Sequence, residues 1–155
     1  MTVACNADIG TILSTTEIGA RPEAIFHALT DPADLALWWG SDSTYHTFDW
    51  EIDLRPGGTW RCQAREHDGQ PATMRGEFRT VERPTRLELS WCASWDDFQP
   101  TMIRYDLVAT PCGTRITVTH AGFAGRLESC ERHADGWRRV MGWLTRHTAA
   151  VHAVG

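Results

Sequence analysis

From Tyr45 to Ala121 apolar and polar residues alternate with a period of two. Phe48, Trp50, Ile52 and Leu54 alternate with Asp49, Glu51 and Asp53. After Arg55-Pro56-Gly57-Gly58, the residues Trp60, Cys62 and Ala64 alternate with Arg61, Gln63 and Arg65. After Asp68-Gly69, the residues Met74, Gly76 and Phe78 alternate with Arg75, Glu77 and Arg79. Leu87, Leu89 and Trp91 continue the apolar face, a loop follows over 93–100, and two more strands are expected at about Thr101–Ala109 and Thr114–Ala121. With a β-branched run over Thr11–Gly19, the count is about seven strands. Such alternation predicts an antiparallel sheet with one face in water and the other covered.

Elsewhere the period is helical. Pro22 opens a short helix whose Ile25, Phe26 and Leu29 share a face, and Asp31-Pro32 opens a second with Leu35, Trp38 and Trp39 at i, i+3, i+4. Near the C-terminus Cys130, His133, Ala134, Trp137, Val140, Met141, Leu144, Thr148 and Val151 form one stripe, with Arg132, Asp135, Arg138, Arg139 and Arg146 largely off it. A helix of some twenty residues is about 30 Å long, enough to cover a curved sheet. Gly136 and Gly142 each cost it about 1 kcal/mol against alanine, which points to close packing or to room kept for a ligand.

Length makes the chain a single domain, residues 1–155, with an ordered core expected at about 11–150. The formal charge of -5 and the absence of lysine argue against direct nucleic-acid binding. Cys5, Cys62, Cys92, Cys112 and Cys130 are odd in number and widely spaced, so free thiols in a reducing cytoplasm are expected. The first residues lack the charge and apolar run of a leader, and no window approaches 18 apolar residues, so a soluble cytoplasmic protein without a membrane partner is the expectation.

The inward register carries Trp50, Trp60, Phe78, Trp91 and Tyr105, the last helix adds Trp137 and Met141, and Trp38 lies near one end. A large aromatic core explains any one of them, but eight tryptophans in this length suit a cavity that stacks on a flat or unsaturated ligand. His120 shares the inward register with Ile116 and Val118; it is a hydrogen-bonded core histidine or a ligand-orienting base. Cys130 and His133 stand at i, i+3, but no third metal ligand has suitable spacing, so core packing is expected, with neither metal nor cofactor. No nucleophile elbow, phosphate loop or His-Glu-x-x-His motif occurs. Asp49, Glu51, Asp53, Glu77 and Glu88 fall on the solvated register, against an acid/base pair inside.

Several short motifs occur in a telling order: Pro56-Gly57-Gly58 before a strand, Gly76 followed by the Val81–Leu87 run, Trp91, Gly113-Thr114 leading to Thr117, His120-Ala-Gly-Phe123, and Gly136-Trp137. Over Thr11–Ala150 the set resembles the START-related (SRPBCC) superfamily, in the branch similar to the C-terminal domain of the Hsp90 ATPase activator. The resemblance implies an α+β helix-grip (Bet v 1-like) fold: a curved antiparallel sheet wrapped on the long C-terminal helix, with two short helices after the first strand. A co-chaperone role is not expected, because that activator docks its partner through a separate N-terminal domain and here only some ten residues precede the first expected strand. The tryptophans, the length and the Thr110-Pro-Cys-Gly-Thr114 turn also resemble the self-sacrifice proteins that protect producers of enediyne antibiotics. That likeness implies a small hydrophobic, aromatic or enediyne ligand, stoichiometric quenching rather than enzymatic turnover, and Gly113 as the residue that gives up a Cα hydrogen and is cleaved. From the residues alone Gly113 is also a hairpin glycine with positive φ, and Gly57, Gly58, Gly76 and Gly122 are further candidate donors. An aromatic polyketide cyclase using His120, Tyr105 and a water, or a carrier of hydrophobic metabolites, are the alternatives.

Overall fold

The computed structural model describes residues 1–66 and 69–154. Asp68 of the expected turn lies outside them, as does the side chain of Val151. The strands are β1 (Thr2–Asn6), β2 (Thr11–Ile18), β3 (Tyr45–Ile52), β4 (Thr59–Glu66), β5 (Ala72–Glu82), β6 (Arg86–Ala93), β7 (Thr101–Thr110) and β8 (Gly113–Ala121). The helices are α1 (Pro22–Thr30), α2 (Pro32–Trp38) and α3 (Leu127–Val154). All strands join one antiparallel sheet in the order β1-β2-β8-β7-β6-β5-β4-β3. The α+β helix-grip architecture expected from the pattern is therefore present, with one strand more.

That strand is the first correction. The ordered core begins at Thr2, not near residue 11, because β1 pairs along β2 from Thr2↔Thr15 to Asn6↔Thr11. The second correction concerns the cysteines. Cys5 on β1 and Cys130 on α3 form a disulfide, their Cα atoms 6.3 Å apart, while Cys62, Cys92 and Cys112 remain thiols. The pair is 125 residues apart in the chain, so spacing gave no hint of it, and the cysteine argument for a reducing compartment falls. No helix among the described residues is long and apolar enough to cross a membrane.

Local chemistry explains the remaining elements. Pro22 and Pro32 begin α1 and α2, and the Asp31 carboxylate accepts from the Asp34 N–H at 3.0 Å, capping α2 as its sequence predicts. Trp38 anchors α2 onto α1 by donating its indole N–H to the Ala28 carbonyl at 2.8 Å. On the sheet, Trp60, Cys62, Met74, Phe78, Leu87, Leu89, Trp91, Ile103, Tyr105, Ile116, Val118 and His120 are all buried in the inward register. The α3 stripe closes over them through Cys130, Ala134, Trp137, Val140, Met141, Leu144 and Thr148.

Phe48 breaks the expected alternation. The pairing shifts between Phe48 and Glu51, and Asp49 takes φ 54, a left-handed conformation at a bulge. Thr47 is therefore the buried residue before the bulge and Trp50 follows after it, whereas Phe48 pairs with Gln63 and lies under the Arg65 guanidinium, 5.5 Å from its ring centre.

Candidate ligand cavity

Between the sheet and α3 lies a cavity of about 440 Å³, within the size range of small-molecule sites. Its walls are Trp39, Tyr45, Ala64, Ala72, Met74, Trp91, Trp95, His120, His133, Gly136, Trp137 and Val140, with Gln70, Arg132, Asp135 and Arg139 among the lining as its polar part. Trp95 reaches it from a 3-10 turn over Ser94–Asp96, followed by Asp97 and Phe98, both at φ 55, which reverse the chain. This turn is tied to α3, for Ser129 Oγ donates to Asp96 at 2.6 Å and Arg126 stands 3.8 Å from the same carboxylate. A second void of about 30 Å³ lies among Trp39, Trp50, Trp60, Phe78, Trp91 and Tyr105 and neighbouring aliphatic residues. The rings of Trp39 and Trp91, stacked at 6.1 Å and 18°, line both voids.

Five of the tryptophans around these voids offer faces rather than donors. Trp39 donates to Tyr45 Oη, Trp50 to Thr47 Oγ1, Trp60 to the Ser90 carbonyl, Trp91 to His133 Nε2 and Trp137 to His120 Nδ1. Gly76 makes one of these bonds possible, since a Cβ there would stand 1.9 Å from the Ser90 oxygen and 2.6 Å from the Trp60 indole nitrogen. With their N–H groups engaged, these rings present apolar π surfaces to whatever enters, which selects for flat or unsaturated carbon skeletons.

His120 is fully engaged as well. Its Nδ1 accepts from Trp137 at 3.0 Å, so Nε2 carries the proton and donates to Thr101 Oγ1 at 2.7 Å; Thr101 in turn donates to the Trp91 carbonyl at 3.0 Å. Burial, then the neighbouring His133 and Arg126, hold its pKa well below the usual histidine value. Burial also lowers His133, against the pull of the Ser129 carbonyl, which accepts from Nδ1 at 2.8 Å, and of Asp96. Both imidazoles are thus held neutral with both nitrogens in use. Burial pushes the Tyr105 phenol and the Cys62 thiol up, so neither ionises readily.

The predicted site residues separate into groups. Trp91, His120 and Trp137 line the larger void, and Trp50, Trp60, Phe78 and Tyr105, again with Trp91, line the smaller. Trp38 and Met141 are buried but border neither void. Gly113 borders neither. It is the first residue of β8, paired with Thr110 across Pro111-Cys112, and lies seven residues along the strand from His120, about 23 Å at the usual strand rise. Its φ is 152, and a Cβ would meet the Ile18 carbonyl at 2.1 Å, so the close passage of the end of β2 requires glycine there. Cys112 is exposed in that same turn.

Sequence reasoning passed over Trp39, Tyr45, Trp95 and the polar group of α3. Gly136 left a trace: its helical cost marks a cavity wall, where an added Cβ would meet nothing closer than Arg139 at 4.0 Å. Cys130, paired with His133 as a conceivable metal ligand, is taken by the disulfide. None of the five outward carboxylates lines the cavity, and the acid that does, Asp135, pairs with Arg138.

Residues 19–149 match the family model described as activator of Hsp90 ATPase homolog 1-like protein. The chain belongs to that family. Among solved structures, it is similar to the AHSA1-like protein from Aeromonas hydrophila, at 26% identity and a TM-score of 0.75 over 92% of this chain and 94% of that one. The AHSA1 protein from Silicibacter pomeroyi is likewise similar, at 26% identity and 0.76 over 92% of this chain and 99% of that one. A protein from Arthrobacter aurescens has the same fold at 19% identity, with a TM-score of 0.83 over 96% of this chain and 91% of that one. No curated protein matches the sequence. For this AHSA1-like chain, the family relation and the cavity together describe a fold suited to binding a ligand.

Proposed function

We propose that the protein binds a hydrophobic, unsaturated small molecule one-to-one, and that its ligand is an enediyne antibiotic of the calicheamicin type. The observation that carries this reading is the cavity of about 440 Å³, in which Trp39, Trp91 and Trp137 present ring faces while their N–H groups are occupied by the protein. Gln70, Arg132, Asp135 and Arg139 supply polar contacts for sugars attached to an apolar core. Against multiple turnover as a cyclase stands His120, which has no free nitrogen to serve as a base. Covalent quenching follows from the ligand's own chemistry. A thiol-activated enediyne cyclises to a diradical that takes a hydrogen atom from a glycine Cα, forming an arene C–H bond. The remaining Cα radical is stabilised by the flanking amides, and dioxygen adds to it before the backbone breaks.

The resemblance puts the donor at Gly113, while the glycine bordering the cavity is Gly136. Incubation with thiol-activated calicheamicin in air, followed by intact-mass and fragment analysis, tests both the function and the donor. Cleavage at residue 113 or 136 names the donor. An uncleaved chain, with DNA in the same tube still cut, refutes the quenching reading. Quenched tryptophan emission with no cleavage would leave a carrier.

A further inference from the structure

Away from the cavity, three helices bring two histidines and two aspartates together. His27 lies in the last turn of α1, Asp31 caps α2, Asp34 follows in the first turn of α2, and His147 projects from α3. His27 Nε2 is 3.5 Å from Asp34 Oδ2, and one ligand atom each from His27, Asp31 and Asp34 lies within 4.8 Å of the others. His147 Nε2 is 4.0 Å from that same Asp34 oxygen, beyond hydrogen-bond reach. That nitrogen is itself buried, on a side chain 16% exposed, and has no hydrogen-bond partner among the described residues.

A buried imidazole nitrogen 4.0 Å from a carboxylate and without a hydrogen-bond partner among the described residues calls for an explanation. We infer that His27, Asp31 and Asp34, with His147 Nε2 as a further donor beside them, form a binding site for a borderline divalent transition metal such as Zn²⁺. Ligands about 2.0–2.1 Å from a tetrahedral zinc stand about 3.3 Å apart. The His27–Asp34 separation of 3.5 Å is already near that value, and His147, 4.0 Å from the same oxygen, has to swing toward the ion to join the set. Two imidazoles with carboxylates suit zinc and its neighbours better than magnesium or calcium, which prefer oxygen alone. His147 Nε2 would then place its lone pair on the ion, and the metal would pin the α1–α2 pair to α3. Because α2 runs directly into Trp39, the site would also brace one wall of the cavity.

Titration of the metal-free chain with Co²⁺, with Zn²⁺ displacement, tests the assignment. One equivalent should bind with visible d–d bands and without the near-ultraviolet thiolate-to-cobalt absorption that Cys62, Cys92 or Cys112 would give. At a hundredfold excess of Zn²⁺ over its Kd, the Tm should rise by roughly 5–10 °C. His27→Ala, at an exposed position, should weaken binding at least about tenfold, and a His27→Ala, His147→Gln double variant should abolish the bands. A His46→Ala variant, which removes the exposed His46–Asp42 pair, should bind as before. Absence of stoichiometric Co²⁺ binding by the folded wild-type chain, or bands that persist in the double variant, overturns the site. Circular dichroism of each variant before titration separates lost ligands from lost fold.

Discussion

Acidification from pH 7.5 to 5.0 should weaken this protein through His120. Protonating it would place an N–H on Nδ1, facing the Trp137 indole N–H that Nδ1 now accepts at 3.0 Å. The burial that depresses its pKa also leaves the new charge without solvent. In the unfolded chain the histidine titrates near its ordinary value of about 6.5. Between that value and the depressed folded one, the unfolded state holds a proton that the native state does not, so stability falls as pH drops, by about 1.4 kcal/mol per unit. Because burial holds the folded value well below that of the unfolded chain, the loss over this range approaches about 2 kcal/mol for His120 alone. His133, lowered chiefly by burial, acts in the same direction. Asp106 does not confound the range: burial raises its pKa, but the bonds from Arg104 and Arg86 prevail and lower it, so its stabilisation is lost only in strong acid. The assay is urea unfolding followed by tryptophan emission at pH 7.5, 6.5, 5.5 and 5.0 for wild type and His120→Gln. The variant should be weaker at pH 7.5 but should lose about one proton's worth of pH dependence. Equal slopes in the two proteins would refute the claim that His120 is held neutral by the fold.

Three further outcomes follow from particular contacts. Reducing the Cys5–Cys130 bond, or replacing both residues with serine, should cost about 4–5 kcal/mol by chain entropy, because the closed loop exceeds 100 residues, and should speed hydrogen exchange in β1; unchanged urea midpoints with and without reductant would contradict this. Gly76→Ala should cost about 2–4 kcal/mol, since its Cβ would enter the Ser90 carbonyl and displace the Trp60 bond, and a Tm within one degree of wild type would be the contrary result. Trp95→Ala, at a residue 51% exposed, should leave Tm nearly unchanged while weakening binding of a polycyclic aromatic probe about tenfold, as read by fluorescence titration.

The sheet was legible because its period of two persists through strand after strand, and α3 because its stripe spans six turns or so. Where single residues set the geometry, the pattern was silent. Nothing in Phe48-Asp49-Trp50 announces that Asp49 will turn left-handed and move Phe48 off the buried face, under Arg65. β1 escaped notice because an edge strand of five residues, held by one neighbour and a disulfide, needs little alternation of its own. Trp38 and Trp39 illustrate the limit most clearly. Both fit the apolar face of α2, but the helix ends at Trp38, and Trp39, at φ -84 and ψ 87, leaves the helical course and enters the cavity while Trp38 turns under α1.

Gly113 and Gly136 carry the same lesson into function. A glycine read from sequence signals that a side chain is unwelcome, without saying whether backbone or empty space excludes it. At Gly113 the excluding object is the Ile18 carbonyl, so one face of its Cα is sealed by the end of β2. Gly136 instead borders open space, where beyond its own helix backbone and chain neighbours nothing comes nearer than Arg139, 4.0 Å from the missing Cβ. Hydrogen abstraction needs the radical within van der Waals contact of the C–H bond. A ligand seated among Trp91, Trp95 and Trp137 meets that condition at Gly136, whereas Gly113 requires the reactive carbon about 23 Å away, at the far end of β8. Mapping the cleavage site therefore measures where the ligand sits as well as which glycine reacts.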